Sequence, residues 1–340
     1  MHYDALKLTC IQGLEDIVFR EMTAYPALQI ISRGLGEVYI QPIQNLKSLL
    51  SLRSIQNIYI IQRGSELNPH FISKHKSILG NLIEIVLKEN TTRMTTCTLS
   101  CAGTQSKEVL SIQKFIESTY KLGAAENADL EIYIGKKDSL WELGVRLTAR
   151  PLSVRDYKVE HIPGGLNPTI AYAMNTFCDL KNKKSYLNIC SGSGTLIIEA
   201  AISNPTLKLV GFDIDGKTNA LAVQNIKKAG FVKKIHLNTA SIFDVPDFGK
   251  FDIITSDLPF GMQISKGEDL ERLYTSFVAY CEETVSPTGI LVVYTSAYEL
   301  LENILENSTF KIDQTINLKL STVVGAYLYP KIIVCTCKAK

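Results

Sequence analysis

Nowhere in these 340 residues is there an unbroken apolar run of the roughly 18–20 residues that a membrane-spanning helix requires. An integral membrane protein built of helices is therefore not expected. The first residues, Met1, His2, Tyr3 and Asp4, lack the basic stretch and following apolar stretch of a secretory leader, so a cytoplasmic protein is the expectation. Net charge is nearly absent, at +2, and its small excess falls in the first 160 residues. A chain whose whole field attracts nucleic acid is far more basic. Any such contact must rest on local patches. Cysteine is present but unpatterned, at positions 10, 97, 101, 178, 190, 281, 335 and 337. Without a leader, a disulfide scaffold is not expected at this size. Cys97 with Cys101, and Cys335 with Cys337, have no second pair or nearby histidine to complete a tetrahedral metal set, so no metal is expected and the thiols read as reduced and mostly buried. Internal repeats and low-complexity tracts are also missing.

What is present is an ordinary globular composition, 46% hydrophobic and 21% charged, in a chain long enough for two or three cores. Three regions can be read. Up to about residue 62, Leu14 to Met22 and Leu46 to Leu52 have helical spacing, while Glu37 to Ile40 and Ile58 to Ile61 are rich in strand-forming residues. This is the pattern of a small α+β unit. From about 63 to 160, helices are expected over Ile72 to Leu87 and Val109 to Leu122, and a strand over Met94 to Ser100. Two further strands, Leu130 to Ile134 and Trp141 to Leu147, are joined by turn chemistry over Gly135 to Ser139. Arg146, Arg150, Arg155 and Lys158 collect near the end of this region. They read either as a solvated charged face or as a patch that contacts phosphates.

After a loop at Pro163 to Gly165 the pattern changes to short apolar strands alternating with longer helices. Strands are expected at Tyr186 to Ile189, Leu207 to Phe212, Lys234 to Leu237, Phe251 to Ser256, Gly289 to Thr295, Phe310 to Leu318 and Leu328 to Cys337. Helices are expected at Thr195 to Ile202, Lys217 to Ala229, Glu268 to Val285 and Ala297 to Leu305. Such alternation implies an α/β fold with a largely parallel, doubly wound sheet.

Three motifs fall on the carboxyl ends of these strands, where open α/β sheets bind ligands. The first, Leu187 to Thr195, places Gly192 and Gly194 between a strand and a helix, where the backbone can turn tightly and approach a ligand. The third glycine of the dinucleotide fingerprint is replaced by Ile197, which disfavours NAD and fits a cofactor without a pyrophosphate. The second is Gly211 to Asp215. A carboxylate about 20 residues past the glycine loop can accept both ribose hydroxyls. Asp213 is the better placed for this, and Asp215 suits a helix cap. The third is Ser256 to Gly261. An acid, a proline and an aromatic in this order form a rigid lip for a base. Carboxylate and carbonyl acceptors can hold the hydrogens of an exocyclic amine whose lone pair is otherwise delocalised, and the aromatic offers a stacking face.

These residues resemble a known family. Asn188 to Ala200 and Gly211 to Gly230 look like the first two motifs of class I methyltransferases. Asp257 to Gly261 looks like the amino-methyltransferase motif of the THUMP-domain RNA guanine-N2 methyltransferases. Gly165 to Ala173 resembles the stretch that precedes the first motif there. Gly13, Leu14 and Glu15, then Leu52 to Ser54, and finally Leu143 to Tyr157, resemble parts of the family's amino-terminal half. The resemblance implies a class I methyltransferase (Rossmann-like) seven-stranded sheet over 161–340. Before it would come a ferredoxin-like domain over 1–62 and a THUMP domain with its exit linker over 63–160. The implied cofactor is S-adenosyl-L-methionine, held by Asn188, Cys190, Ser191, Gly192, Gly194, Thr195, Asp213, Ile214, Ser241, Ile242 and Asp257. Asp257, Leu258, Pro259 and Phe260 would hold guanine N2. The implied partner is RNA, with tRNA as the first expectation.

Two positions depart from the family. Asn188 stands where the family often has an acid, and Ser241 stands where many relatives have one. The readings left open are a ribosomal RNA guanine-N2 methyltransferase, a DNA adenine-N6 methyltransferase, which shares the acid-x-Pro-aromatic motif, and a non-catalytic RNA-binding subunit. The amino-terminal half carries no helix-turn-helix signal and so favours RNA over DNA. The sequence is silent on oligomeric state and on a small activating protein partner.

Overall fold

The computed structural model describes residues 2–25, 27–103, 106–260, 270–322 and 325–338, apart from the side chain of Lys74. It divides into two compact units, one of Met1–Cys10 with Val18–Ser153 and one of Ile11–Ile17 with Val154–Lys340.

In the first unit, strands β1 (Ala5–Thr9), β2 (Ile30–Gly34), β3 (Glu37–Ile40), β4 (Asn57–Gly64), β5 (Thr96–Cys101), β6 (Gly123–Ala124), β7 (Leu130–Lys137) and β8 (Leu140–Arg146) share one sheet, ordered β2-β3-β1-β4-β8-β7-β5-β6. The boundary expected near residue 62 falls inside β4, which pairs with β1 on one side and β8 on the other. Helix α1 spans Glu15–Met22. Helices α2 (Lys76–Glu89) and α3 (Lys107–Tyr120) place Leu82, Ile83, Val86, Ile112 and Ile116 in one core with Leu6, Ile58, Ile132 and Val145. Ser106 caps α3 through its side chain, and Lys121 closes it in the left-handed conformation.

Several sequence expectations shift here. Leu46–Ser51 and Ile72–His75 are 3-10 turns rather than α-helix. Gly135, Lys136 and Lys137 are strand, paired with Glu142, Trp141 and Leu140. The turn is only Asp138 and Ser139, because Asp138 takes a positive φ of 54° that lets two residues reverse the chain. Strands β1 and β2 carried no signal strong enough to be read.

In the second unit, α4 (Pro168–Thr176) opens on Asn167, whose side chain accepts from the Thr169 N–H, with Pro168 in the first turn. Then follow β9 (Ser185–Ile189), α5 (Thr195–Ser203), β10 (Lys208–Asp213), α6 (Gly216–Lys228), β11 (Ile235–Thr239), β12 (Phe251–Asp257), α7 (Leu270–Thr284), β13 (Val285–Thr295), α8 (Tyr298–Glu306), β14 (Phe310–Asn317), β15 (Leu320–Ser321), β16 (Tyr327–Leu328) and β17 (Lys331–Cys337). Seven strands form a sheet ordered β11-β10-β9-β12-β13-β17-β14. The first five are parallel, and β17 runs antiparallel to both neighbours. The central strands read as continuous apolar runs because both faces are covered. On β9, Tyr186 packs with Leu196 and Ile197 of α5 on one face, and Leu187 packs with Phe277 of α7 on the other. The single strand expected from Leu328 to Cys337 is broken at Pro330, which has no N–H for a ladder. Of the helix expected from Glu268, residues 268 and 269 lie outside the described residues.

The segment Ile11–Ile17 belongs to this second unit although it lies early in the chain. Ile11, Leu14 and Ile17 are buried with Tyr157, Leu166 and Leu318. Gly13, at φ +102°, sits so close to the end of β14 that an added Cβ would lie 2.1 Å from the Asn317 carbonyl oxygen. Gly13→Ala should therefore cost about 2–4 kcal/mol from positive-φ strain and overpacking. Chemical denaturation checks this, and a variant as stable as the native chain would show that the segment is not seated there.

Candidate functional site

The glycine loop joins β9 to α5. Its backbone enters left-handed space at Cys190 (φ 53°), Gly192 (φ 51°) and Gly194 (φ 76°). Cys190 is the unusual member, since a residue with a Cβ is strained there. The loop is tied to the next strand at two points. The Ser191 N–H donates to the Phe212 carbonyl at 2.9 Å, and the Gly192 N–H donates to Asp213 Oδ2 at 2.8 Å. Asp213 Oδ1 accepts from the Asp215 N–H at 3.1 Å. Its carboxylate is thus aimed by two backbone donors at the carboxyl end of β10. Asp215 caps α6, accepting from the Lys217 and Thr218 N–H groups. Asn225, fully buried, clamps the loop from behind by donating to the Ser193 and Glu160 carbonyls at 3.0 Å each.

Asn188 and Ser191 have a different character. Asn188 donates from Nδ2 to the Thr255 carbonyl of β12 at 3.2 Å and to the Ile189 carbonyl at 3.3 Å. A carboxylate here would face those carbonyls with no proton to offer, so the amide is the chemically compatible group. Asn188 Oδ1 and Ser191 Oγ are buried with no hydrogen-bond partner among the described residues. Two orphaned polar atoms beside a glycine loop are what a polar cofactor would satisfy on binding. Thr195 is buried at the start of α5, its hydroxyl 3.1 Å from that of Ser193.

Across the sheet, β10 and β11 end in register, Asp213 opposite Thr239. Ile214, Ser241 and Ile242 therefore share one edge. Ile214 is 67% exposed. Ile242 packs against the core, and the Ser241 hydroxyl accepts from the Phe243 N–H at 3.3 Å.

On the other side of β9 stands β12, with Ser256 opposite Ile189. Asp257 is thus level with the start of the glycine loop, one strand spacing away. Its side chain is partly buried, and desolvation pushes its pKa up to about 7, against the pull of the Lys158 ammonium. Leu258 is buried and donates its N–H to the Tyr294 carbonyl at 3.0 Å, so it anchors the lip from below. The Pro259 carbonyl accepts from the Tyr274 hydroxyl at 3.0 Å. Phe260 meets Tyr294 edge-on, with centroids 5.6 Å apart. Gly261 lies outside the described residues.

The basic cluster read from the sequence is overturned. Arg146 is buried, pairs with Glu131 at 2.5 Å and donates to the Ala128, Thr148 and Ala149 carbonyls. Arg155 is buried against Glu199 at 3.2 Å, where the Tyr157 hydroxyl also donates to the same oxygen at 2.7 Å. Lys158 is half-buried and donates to the Leu166 carbonyl at 2.7 Å. Burial lowers its pKa, and the Asp257 and Glu199 carboxylates act the other way. Of the four, only Arg150 is exposed. Lys158 is thus part of the surroundings of Asp257, a role invisible in a run of like charges. Tyr274 and Tyr294, which frame the lip, were equally unmarked in the sequence.

A glycine loop, an aimed carboxylate and an acid-Pro-aromatic lip on adjacent strands agree with a comparison by family. The model of the RMKL-like methyltransferase domain matches residues 155–325, half of the chain. The chain belongs to that family. Over 254 residues it is 28% identical to the U6 snRNA (guanine-N(2))-methyltransferase THUMPD2 of Bos taurus, covering 72% of this chain and 49% of that protein. Over 165 residues it is 32% identical to the tRNA (guanine(6)-N2)-methyltransferase of Thermus thermophilus, covering 48% of this chain and 49% of that one. The chain spans about half the length of the curated relatives it matches. Its fold is like that of TrmN from Thermus thermophilus, with a TM-score of 0.79 over 98% of this chain and 99% of that one at 22% identity. The methyltransferase domain thus has the class I fold expected of it. No helix among the described residues is long and apolar enough to cross a membrane.

Proposed function

We propose that the chain methylates the exocyclic N2 amine of a guanosine in structured RNA, with tRNA as its substrate and S-adenosyl-L-methionine as its cofactor. The observation that carries this reading is Asp257. It is a desolvated carboxylate one strand from the glycine loop, on a lip stiffened by Pro259 and faced by Phe260. The relatives named above for guanine-N2 activity support the choice of base.

Gly192, Gly194, Asn188 and Ser191 would hold the methionine part of the cofactor, and Asp213 the ribose hydroxyls. Ile214, Ser241 and Ile242 would border the adenine. The bound cofactor supplies an electrophilic methyl group on a sulfonium. Asp257 accepts a hydrogen from the guanine N2, which frees the lone pair of that nitrogen for in-line attack. When bound, the cofactor would give up the methyl carbon to that nitrogen and its sulfur would keep the electron pair of the bond that breaks. The proton displaced from N2 passes to Asp257 or to water. Phe260 gives the unpaired base a stacking face.

Two measurements bear on this reading. Asp213→Ala should weaken cofactor binding roughly 10- to 100-fold through loss of charge-assisted hydrogen bonds. Calorimetry reads it, and an unchanged affinity would remove Asp213 from the ribose site. The function itself is tested by incubating the chain with small RNA and labelled cofactor, then digesting to nucleosides. Label in N2-methylguanosine of tRNA is the expected result, and label only in N6-methyladenosine would overturn it. The same assay distinguishes U6 small nuclear RNA, which the longer match to the Bos taurus relative brings forward as a second substrate.

A further inference from the structure

The ligand-bearing edge of the second unit's sheet does not stop at the lip. Asp257 is level with Tyr294 on β13, and on the next strands Thr295 is level with Lys331 and Lys331 with Asn317. Between Asn317 and Lys331 the chain leaves this same edge as the hairpin of β15 and β16, paired Leu320 with Leu328 and Ser321 with Tyr327. At strand spacings of about 4.8 Å, its base stands roughly 10–15 Å from Asp257.

The hairpin is firmly seated. The Leu318 N–H donates to the Pro330 carbonyl at 2.9 Å, and the Lys319 N–H donates to the Gln12 carbonyl at 3.1 Å. It nonetheless exposes two large aromatics. Tyr327 and Tyr329 are each 55% exposed, with rings 6.5 Å apart and tilted by 48°. Lys319 Nζ lies 4.0 Å over the Tyr327 ring. At the hairpin base, Lys331 Nζ lies 3.7 Å over the Tyr298 ring and is paired with Glu302 at 3.0 Å, so it takes no part in the platform.

We propose that this hairpin is a platform for the unpaired nucleotides flanking the target guanosine, with Tyr327 and Tyr329 stacking on bases and Lys319 meeting a phosphate. This rests on the RNA reading above. A lysine over Tyr327 would stiffen the hairpin, but it covers only one face of one ring and leaves Tyr329 exposed. Exposed ring faces beside an ammonium group, here that of Lys319, are the combination that holds single-stranded nucleic acid, because every base has a π-face and every linkage a charge. The location supplies the rest. A base withdrawn into the lip unstacks its neighbours, and the hairpin stands on the same edge to receive them.

The test titrates labelled small RNA from cells lacking this chain with the full chain, in parallel with cofactor binding and melting temperature. The double variant Tyr327→Leu/Tyr329→Leu should bind RNA about 10- to 100-fold more weakly, with cofactor affinity and melting temperature unchanged. The double variant Tyr327→Phe/Tyr329→Phe should bind like the native chain, since the ring faces remain. Lys319→Gln should lower the slope of log affinity against log salt by about one. A leucine variant within twofold of the native chain, a phenylalanine variant as weak as the leucine one, or an unchanged salt slope would each overturn the platform while the RNA reading stood. A native chain that binds no small RNA would overturn both.

Discussion

Asp257→Asn should lower kcat by roughly 10²- to 10⁴-fold, the range for losing a positioned proton acceptor, while leaving cofactor affinity within a few-fold. The amide keeps the shape but offers the amine a weaker acceptor and cannot take a proton. Single-turnover kinetics at saturating RNA and cofactor read this step directly, and a kcat within threefold of native would remove Asp257 from the reaction. The native chain should also show an acid limb. With a pKa pushed up to about 7, the carboxyl is protonated below neutrality and cannot accept a hydrogen. The rate should rise about tenfold per pH unit up to that point and level off above it.

The same burial carries a stability consequence of opposite sense. The unfolded chain holds Asp257 near its ordinary pKa of about 3.9, so between about pH 4 and 7 the native state binds the extra proton. Native stability from this group therefore falls as pH rises through that window, and its full cost is present above pH 7. Asp257→Asn should then be more stable than the native chain at pH 8, on the order of 2–4 kcal/mol less whatever the Lys158 ammonium loses. The gain should vanish below pH 4. Denaturant midpoints at the two pH values check the sign. A lower kcat with a higher midpoint would mark a residue kept for reaction rather than for folding.

Glu199→Ala should destabilise the second unit by about 3–5 kcal/mol. Glu199 is fully buried in α5, the helix that the glycine loop opens, and one of its oxygens takes both Arg155 Nε and the Tyr157 hydroxyl. Removing it takes a balancing charge from a buried guanidinium and opens a cavity. Glu199→Gln, which keeps the volume and one acceptor, should lose less than half as much. Because α5 carries the glycine loop at its amino end, cofactor affinity should fall along with stability in the alanine variant. A urea midpoint unchanged in Glu199→Ala would show that the Arg155 pair is not formed.

Arg155 also shows why one reading of the sequence failed. Four cations at positions 146, 150, 155 and 158 look alike in a linear chain, and their spacing suits a surface stripe. Their partners are distant and of the other sign: Arg155 meets a carboxylate 44 residues away. Arg146 meets Glu131 and three carbonyls. Local charge density records how many cations there are but nothing about which carboxylates fold against them. A surface patch, a buried ion pair and a neighbour of Asp257 therefore have the same local signature.

The amino-acid order was enough for the α/β alternation of residues 161–340, the glycine turn, the cap at Asp215 and the acid-Pro-aromatic lip. Those features rest on short-range physics: apolar periodicity, the φ range open to glycine, the reach of a side chain two or three residues along, and the stiffness of proline. Tertiary structure was needed for the features set by residues far apart in sequence. It put Ile11–Ile17 into the second unit and made one sheet of the strands before residue 147. It buried Arg146 and Arg155, set Lys158 beside Asp257, raised the pKa of Asp257, and stood Tyr327 and Tyr329 on the edge that carries Asp257. Burial, desolvation and strand register all depend on what the rest of the chain brings alongside a residue, and no local window of the sequence contains that information.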